Sequence, residues 1–334
     1  MPLLSERLRE GRALLADGAT GTNLFDAGLE SGDAPELWNV DEPDRVRALH
    51  RSFTDAGSDV ILTNTFGANA MRLKLHGAED RVFEIAKAAA ELAREVADAA
   101  ERPVVVAGSV GPTGELFEPM GELTHETARD AFAEQMRGLK AGGADVAWIE
   151  TMSSIEEIEA ACEAARDVGI EYVFTASFDT AGMTMMGVAP AKLAELAGTM
   201  SPPPVAVGAN CGVGASDLLA SIRQLTEGPV PVAIVAKANC GVPRIEGEHV
   251  VYSGTPQQMA EYARLAVDLG AAIVGGCCGT TPAHLATMRS ALDEHAKRDR
   301  PSLLDIAEAT GDYVNAVGGG PKASARRSRR GGRG

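Results

Sequence analysis

Ala272-Ile-Val-Gly-Gly-Cys-Cys-Gly-Thr-Thr-Pro282 is the stretch on which the fold turns. A short apolar run with β-branched Ile273 and Val274 reads as a strand. It ends in glycines that permit a tight turn. Thr281-Pro282 then opens a helix, with threonine as N-cap and proline at the first helical position. The same strand–turn–helix order recurs upstream. Apolar runs over residues 14–17, 59–65, 103–109, 145–150, 172–178, 205–210, 232–237 and 272–276 read as strands. Several are continuous and rich in β-branched residues, as in parallel strands covered on both faces. Helical patterns fill the intervals at 43–57, 70–100, 125–142, 155–168, 191–200, 216–226, 256–269 and 282–295. Thr255-Pro256 repeats the N-cap and proline signal. Gly57, Gly142, Gly169 and Gly270 follow helical patterns where a left-handed residue is wanted. Eight such units in series predict an α/β chain folded as a (β/α)8 TIM barrel in a single domain. A doubly wound open sheet is the alternative.

Residues 1–300 are assigned to the barrel, 301–317 to a C-terminal helical extension suited to oligomer contacts, and 318–334 to a disordered basic tail. Of the 334 residues, 45% are hydrophobic but only 4% aromatic, so Ala, Val, Leu, Ile and Met must build the core. The formal net charge is −16. The tail carries Lys322, Arg326, Arg327, Arg329, Arg330 and Arg333 without an acid, which leaves 25 basic against 47 acidic residues elsewhere, or −22. Such a body argues against nucleic acid or an anionic membrane as partner. No secretory h-region opens the chain, and no apolar run is long enough to span a membrane. Five cysteines without a signal sequence fit a reducing cytoplasm, where metal or catalytic use outweighs disulfides.

In a barrel the active site lies at the C-terminal ends of the strands. The polar segments fall there: Asp17–Thr22, Thr63-Asn64-Thr65, Gly108–Gly114, Glu150, Asn210-Cys211, Asn239-Cys240 and Cys277-Cys278. Neighbouring strand residues point to opposite faces, so Cys277 and Cys278 converge only where the backbone turns. Gly275, Gly276 and Gly279 permit that turn. With Cys211 they make a three-sulfur set that leaves a fourth position open, the layout of a catalytic zinc. Buried thiols in a small-residue turn carry the same signature, since free cysteine is among the most buried residue types. Cys162 lies in a helical pattern and reads as core. Asp17 before a glycine and Glu150 at a strand end also admit plain structural roles, as a turn residue and an ion-pair partner.

Asp17-Gly-Ala-Thr-Gly-Thr22, Thr63-Asn-Thr-Phe-Gly-Ala-Asn69, Gly111-Pro-Thr-Gly114, Glu150-Thr-Met152, Ala209-Asn-Cys-Gly212 and Gly275-Gly-Cys-Cys-Gly-Thr-Thr-Pro282 together resemble the homocysteine S-methyltransferase family. That family includes betaine-using enzymes, S-methylmethionine-using enzymes and the homocysteine-binding module of methionine synthase. The resemblance spans residues 13–292. It implies that Cys211, Cys277 and Cys278 bind Zn2+, with Asn239 as a candidate fourth ligand. It also implies that Asp17 and Glu150 hold the homocysteine ammonium, with the backbone of Gly18 and Ala19 near the carboxylate. The expected reaction is zinc-dependent methyl transfer from a small onium donor, glycine betaine before others, to homocysteine, giving methionine. A homocysteine-activating module served by a separate corrinoid or methylfolate protein is the alternative, as is an S-methylmethionine-dependent enzyme. The chain has no Asp-x-His-x-x-Gly cobalamin motif. Ala68 and Thr151 stand where betaine-using relatives place cage tyrosines, leaving Trp38, with Phe66 nearby, to face an onium group. Ala-Asn-Cys-Gly-Val occurs at both 209–213 and 238–242, so Cys240 mimics Cys211 as spectator, filler or alternative ligand. The partners expected are small molecules.

Overall fold

A computed structural model describes residues 2–246 and 249–315. The strands are β1 (Leu14–Leu15), β2 (Val60–Leu62), β3 (Val105–Val110), β4 (Val146–Met152), β5 (Glu171–Ala176), β6 (Ala206–Cys211), β7 (Ala233–Ala238), β8 (Pro243–Glu246), β9 (His249–Tyr252) and β10 (Ile273–Gly276). All but β8 and β9 join one parallel sheet in the order β1-β10-β7-β6-β5-β4-β3-β2. A parallel bridge between Ala16 and Val60 brings its two ends together. The sheet is thus the (β/α)8 barrel, and the open-sheet alternative falls.

Strand alternation sorts the side chains into two sets. Leu14, Ala16, Val60, Leu62, Val105, Ala107, Val146, Trp148, Val173, Ala206, Val235 and Ile273 form one buried cluster, the barrel interior. Leu15, Ile61, Val106, Ala147, Phe174, Val207, Ala236 and Val274 instead pack with the helices in the larger cluster. Two residues beyond Ala107, Trp148, Val173 and Val235, the interior positions are Ser109, Glu150, Thr175 and Lys237, all buried. The barrel is therefore apolar below and polar at the C-terminal end of its strands.

The predicted helical intervals are filled with one break, and the short helices Leu3–Leu8, Thr20–Asp26 and Trp38–Asp41 lie outside them. The pattern over 70–100 is not one helix. A helix over Ala70–Leu73 and a 3-10 turn over Lys74–His76 end at Gly77, whose φ of +64° stops propagation. The long helix begins only at Val82 and runs to Asp98. Among the glycines expected to be left-handed, Gly142 stays right-handed and Gly143 takes φ +95° instead. The β8–β9 hairpin was not anticipated; it is an antiparallel insertion after β7. The C-terminal extension is helical over Leu303–Thr310 and docks on its own barrel: Ile306 is buried, and the Asp217 carboxylate accepts from the Val314 and Asn315 N–H groups at 2.9 and 2.8 Å. The predicted tail over 318–334 lies outside the described residues. No helix among the described residues is long and apolar enough to cross a membrane.

Candidate active site

Three sulfurs meet at the polar end of the barrel. The ligand atoms of Cys211, Cys277 and Cys278 lie within 4.8 Å of one another. Cys211 ends β6 with a φ of +62°, a conformation β-carbon-bearing residues seldom adopt. Its neighbour Asn210 fixes this corner. The Asn210 Oδ1 accepts from Thr151 N at 2.8 Å and Thr175 Oγ1 at 2.6 Å, while its Nδ2 donates to Thr151 Oγ1 at 2.7 Å. Thr151 also has φ +62°. One amide thus links two strained rim residues, at the ends of β4 and β6, across the intervening β5.

Cys277 and Cys278 sit in the turn after β10. Cys277 N donates to Ala238 O at 2.7 Å, and Cys240 N donates to Cys278 O at 2.9 Å. Gly279 closes the turn at φ +78°, and any β-carbon there would stand 2.3 Å from the Tyr252 ring. Tyr252, on the unforeseen hairpin, therefore packs over the turn that carries Cys278. Bonds from Cys211 and then Cys277 hold the Cys278 thiol far below its usual range, and the same crowding drives Cys211 far above. Only a cation would let all three sulfurs ionise together at this separation. A thiophilic ion about 2.3 Å from each sulfur fits a cluster of this size.

A cavity of about 350 Å³ opens beside the sulfurs. Gly18, Ala19, Phe25, Phe66, Ser109, Glu150, Thr151 and Lys237 share its lining with the three cysteines. At its floor the Lys237 ammonium meets Asp17 Oδ1 at 2.7 Å, both groups buried. Asp17 Oδ2 accepts from Leu62 N at 2.7 Å. Burial opposes the Lys237 charge, but Asp17 and then Glu150 overcome it and raise its pKa above the ordinary lysine value. Glu150 Oε1 accepts from Ser109 Oγ at 2.5 Å. Burial pushes the Glu150 carboxyl up to about 7 against the pull of Lys237.

The other predicted residues have definite places. Asn239 Oδ1 accepts from Cys278 N at 3.0 Å and its Nδ2 donates to Gly212 O at 2.6 Å, so its amide ties together the two cysteine-bearing turns. Ala19 N–H is already donated to Thr280 O at 3.2 Å. Trp38 is outside the cavity lining; its ring lies under Arg45, 4.9 Å from guanidinium carbon to centroid. Phe25, which sequence reasoning passed over, is the aromatic that joins Phe66 there. Cys240 is outside the sulfur cluster, buried with Sγ 3.2 Å from His284 Nε2 and 3.3 Å from Gly254 O. Cys162 is buried in the helix Ile155–Val168. Lys237 was missed altogether.

The model of the family described as homocysteine S-methyltransferase matches residues 14–292. The chain belongs to the homocysteine S-methyltransferase family. Within reach of this family are two curated relatives named methionine synthase. The one from Mycobacterium tuberculosis is 30% identical over 307 residues, 86% of this chain and 25% of the relative. The one from Mycobacterium leprae is 30% identical over 299 residues, 84% of this chain and 24% of the relative. The chain thus spans about a quarter of the length of these relatives. Among solved structures, the homocysteine methyltransferase MmuM from Escherichia coli in its oxidized form superposes with a TM-score of 0.71 at 26% identity, covering 86% of this chain and 98% of that one. Its metallated form gives a TM-score of 0.69 at 25% identity, covering 83% and 96%.

Proposed function

We propose that the chain is a zinc-dependent homocysteine methyltransferase that takes a methyl group from a small onium donor, glycine betaine in first place, and makes methionine. The observation that carries this reading is the Cys211, Cys277 and Cys278 cluster opening onto a cavity lined by Glu150 and by Lys237, whose ammonium is held by Asp17. A thiol is mostly protonated at neutral pH, and the thiolate is the nucleophile. Zinc held by Cys211, Cys277 and Cys278 would supply the positive charge that keeps the homocysteine sulfur a thiolate. The cysteines themselves bring three negative charges, so the bound sulfur stays electron-rich. Glu150, anchored by Ser109, faces the substrate ammonium and aligns the sulfur for in-line attack. No side chain need take a proton from the methyl group.

Phe25 and Phe66 give the onium donor an aromatic wall and the cation–π attraction that goes with it. They stand in for the tyrosine cage and for Trp38. A second reading is favoured by one observation: the methionine synthase relatives are about four times longer than this chain's match. On that reading the barrel presents homocysteine to a separate methyl-carrying protein.

Methionine formation, followed by mass spectrometry, separates the two. Zinc-loaded protein is given homocysteine with glycine betaine, S-methylmethionine or a dimethylsulfonio compound. Product from one donor, lost on chelation, is expected. No product from any donor, with homocysteine still bound, would contradict the stand-alone enzyme and favour the second reading.

A further inference from the structure

Lys237 is a charged side chain where the barrel has little else of its sign. It lies on β7 in the interior set with Val235, is 2% exposed, and contributes to the cavity lining. Its Nζ carries three donors and meets one protein acceptor among the described residues, Asp17 Oδ1. A buried ammonium with unspent donors beside a ligand cavity is costly unless a ligand satisfies it.

The surrounding bonds narrow what that ligand group is. Asp17 accepts from Lys237 on one oxygen and from Leu62 N–H on the other, and it is outside the cavity lining. It therefore serves to hold Lys237 rather than to meet a substrate ammonium. Glu150 uses Oε1 for Ser109, and no protein donor reaches Oε2 among the described residues. The Ala19 N–H, expected to face a substrate carboxylate, is already given to Thr280 O. The floor thus offers one carboxylate and one ammonium side by side, the complement of a zwitterion.

We infer that Lys237 recognises a carboxylate in this cavity, so that Lys237 and Glu150 together receive the two charged ends of an amino-acid head group. The inference rests on the proposed function for the identity of the substrate. Two molecules could supply a carboxylate there, the amino-acid thiol and a carboxylate-bearing methyl donor, and the chemistry at Lys237 is the same for both.

The test uses the zinc-loaded full chain and titration calorimetry. Homocysteine is compared with 3-aminopropane-1-thiol, which is homocysteine without its carboxylate. The native protein is expected to bind the truncated thiol about 10- to 100-fold more weakly, the loss typical of leaving a buried charged donor unpaired. K237M should weaken homocysteine by a similar factor and leave the truncated thiol unchanged. D17N/K237M, in which no buried carboxylate is stranded, repeats the comparison if the single variant is poorly folded. Should K237M leave homocysteine binding intact but raise KM for glycine betaine and not for a carboxylate-free onium donor, the carboxylate read by Lys237 is the donor's. Equal binding of both thiols and equal use of both donor types by the native protein would overturn the assignment without any variant. Carboxylate-dependent thiol binding with no methionine from any donor would keep Lys237 in this role while removing the methyl-transfer reading.

Discussion

Asn239 reaches across from β7 to accept the backbone N–H of Cys278 at 3.0 Å, and its other amide end donates to Gly212 O at 2.6 Å. The spacing of the three sulfurs thus depends on a side chain that need not touch the metal. Asn239→Ala should weaken zinc about 10- to 100-fold, the usual effect of losing an outer partner of a metal site. Competition with a chromogenic chelator measures it. Unchanged affinity would show that the turns hold their own geometry.

The sulfur cluster excludes Cys240. Cys211→Ala, Cys277→Ala and Cys278→Ala should each lose both zinc and turnover, whereas Cys240→Ala should keep its metal. Metal content by plasma emission, read beside methionine output, distinguishes the two groups. Metal loss from Cys240→Ala alone would reassign the ligands.

Asp17 and Lys237 form a buried ion pair at 2.7 Å. Removing one partner strands the other charge, which costs about 3–5 kcal/mol. Asp17→Ala should therefore lower the urea midpoint sharply, and Asp17→Asn with Lys237→Met should recover most of the loss. A stable Asp17→Ala would mean that Glu150 alone suffices to hold Lys237.

His50 is fully buried in the helix Pro43–Asp55, neither ring nitrogen has a partner among the described residues, and burial lowers its pKa to about 4. The folded value lies below the ordinary 6.5. Below pH 6.5 the unfolded chain therefore binds the extra proton, and stability is lost as pH falls toward 4. The loss is about 2.5 kcal/mol at pH 4.5 relative to neutral pH. Urea unfolding of the native protein and His50→Leu at both pH values should show this difference vanish in the variant. Parallel pH profiles would contradict it.

Phe25 and Phe66 line the cavity. Phe25→Ala or Phe66→Ala should raise the donor KM about 2- to 30-fold, as expected for losing a cation–π contact. The homocysteine Kd should not move. A shift in the homocysteine Kd with a constant donor KM would place these rings against the thiol substrate.

The barrel was legible because its signals repeat: apolar strands, capped helices and polar strand ends recur in register, and Cys277-Cys278 in a glycine frame has few other uses. Residues 70–100 misled because helical periodicity continues across His76-Gly77, where the backbone turns left-handed and the helix restarts. The β8–β9 hairpin lacks a strong alternating pattern, so Tyr252 over the cysteine turn was invisible. Lys237 did leave a trace. It interrupts an apolar run with the parity of Val235, and a charge inside a strand covered on both faces must find a partner. Trp38 was misplaced because its approach to Arg45 is a tertiary contact that spacing does not encode.

The central claim is that Cys211, Cys277 and Cys278 hold zinc with one position left for the substrate sulfur. Zinc K-edge X-ray absorption of the loaded protein, before and after homocysteine, tests it most directly. The account predicts a first shell of three sulfurs and one lighter atom that becomes four sulfurs when homocysteine is added. A shell that keeps its lighter atom in the presence of saturating homocysteine would contradict it.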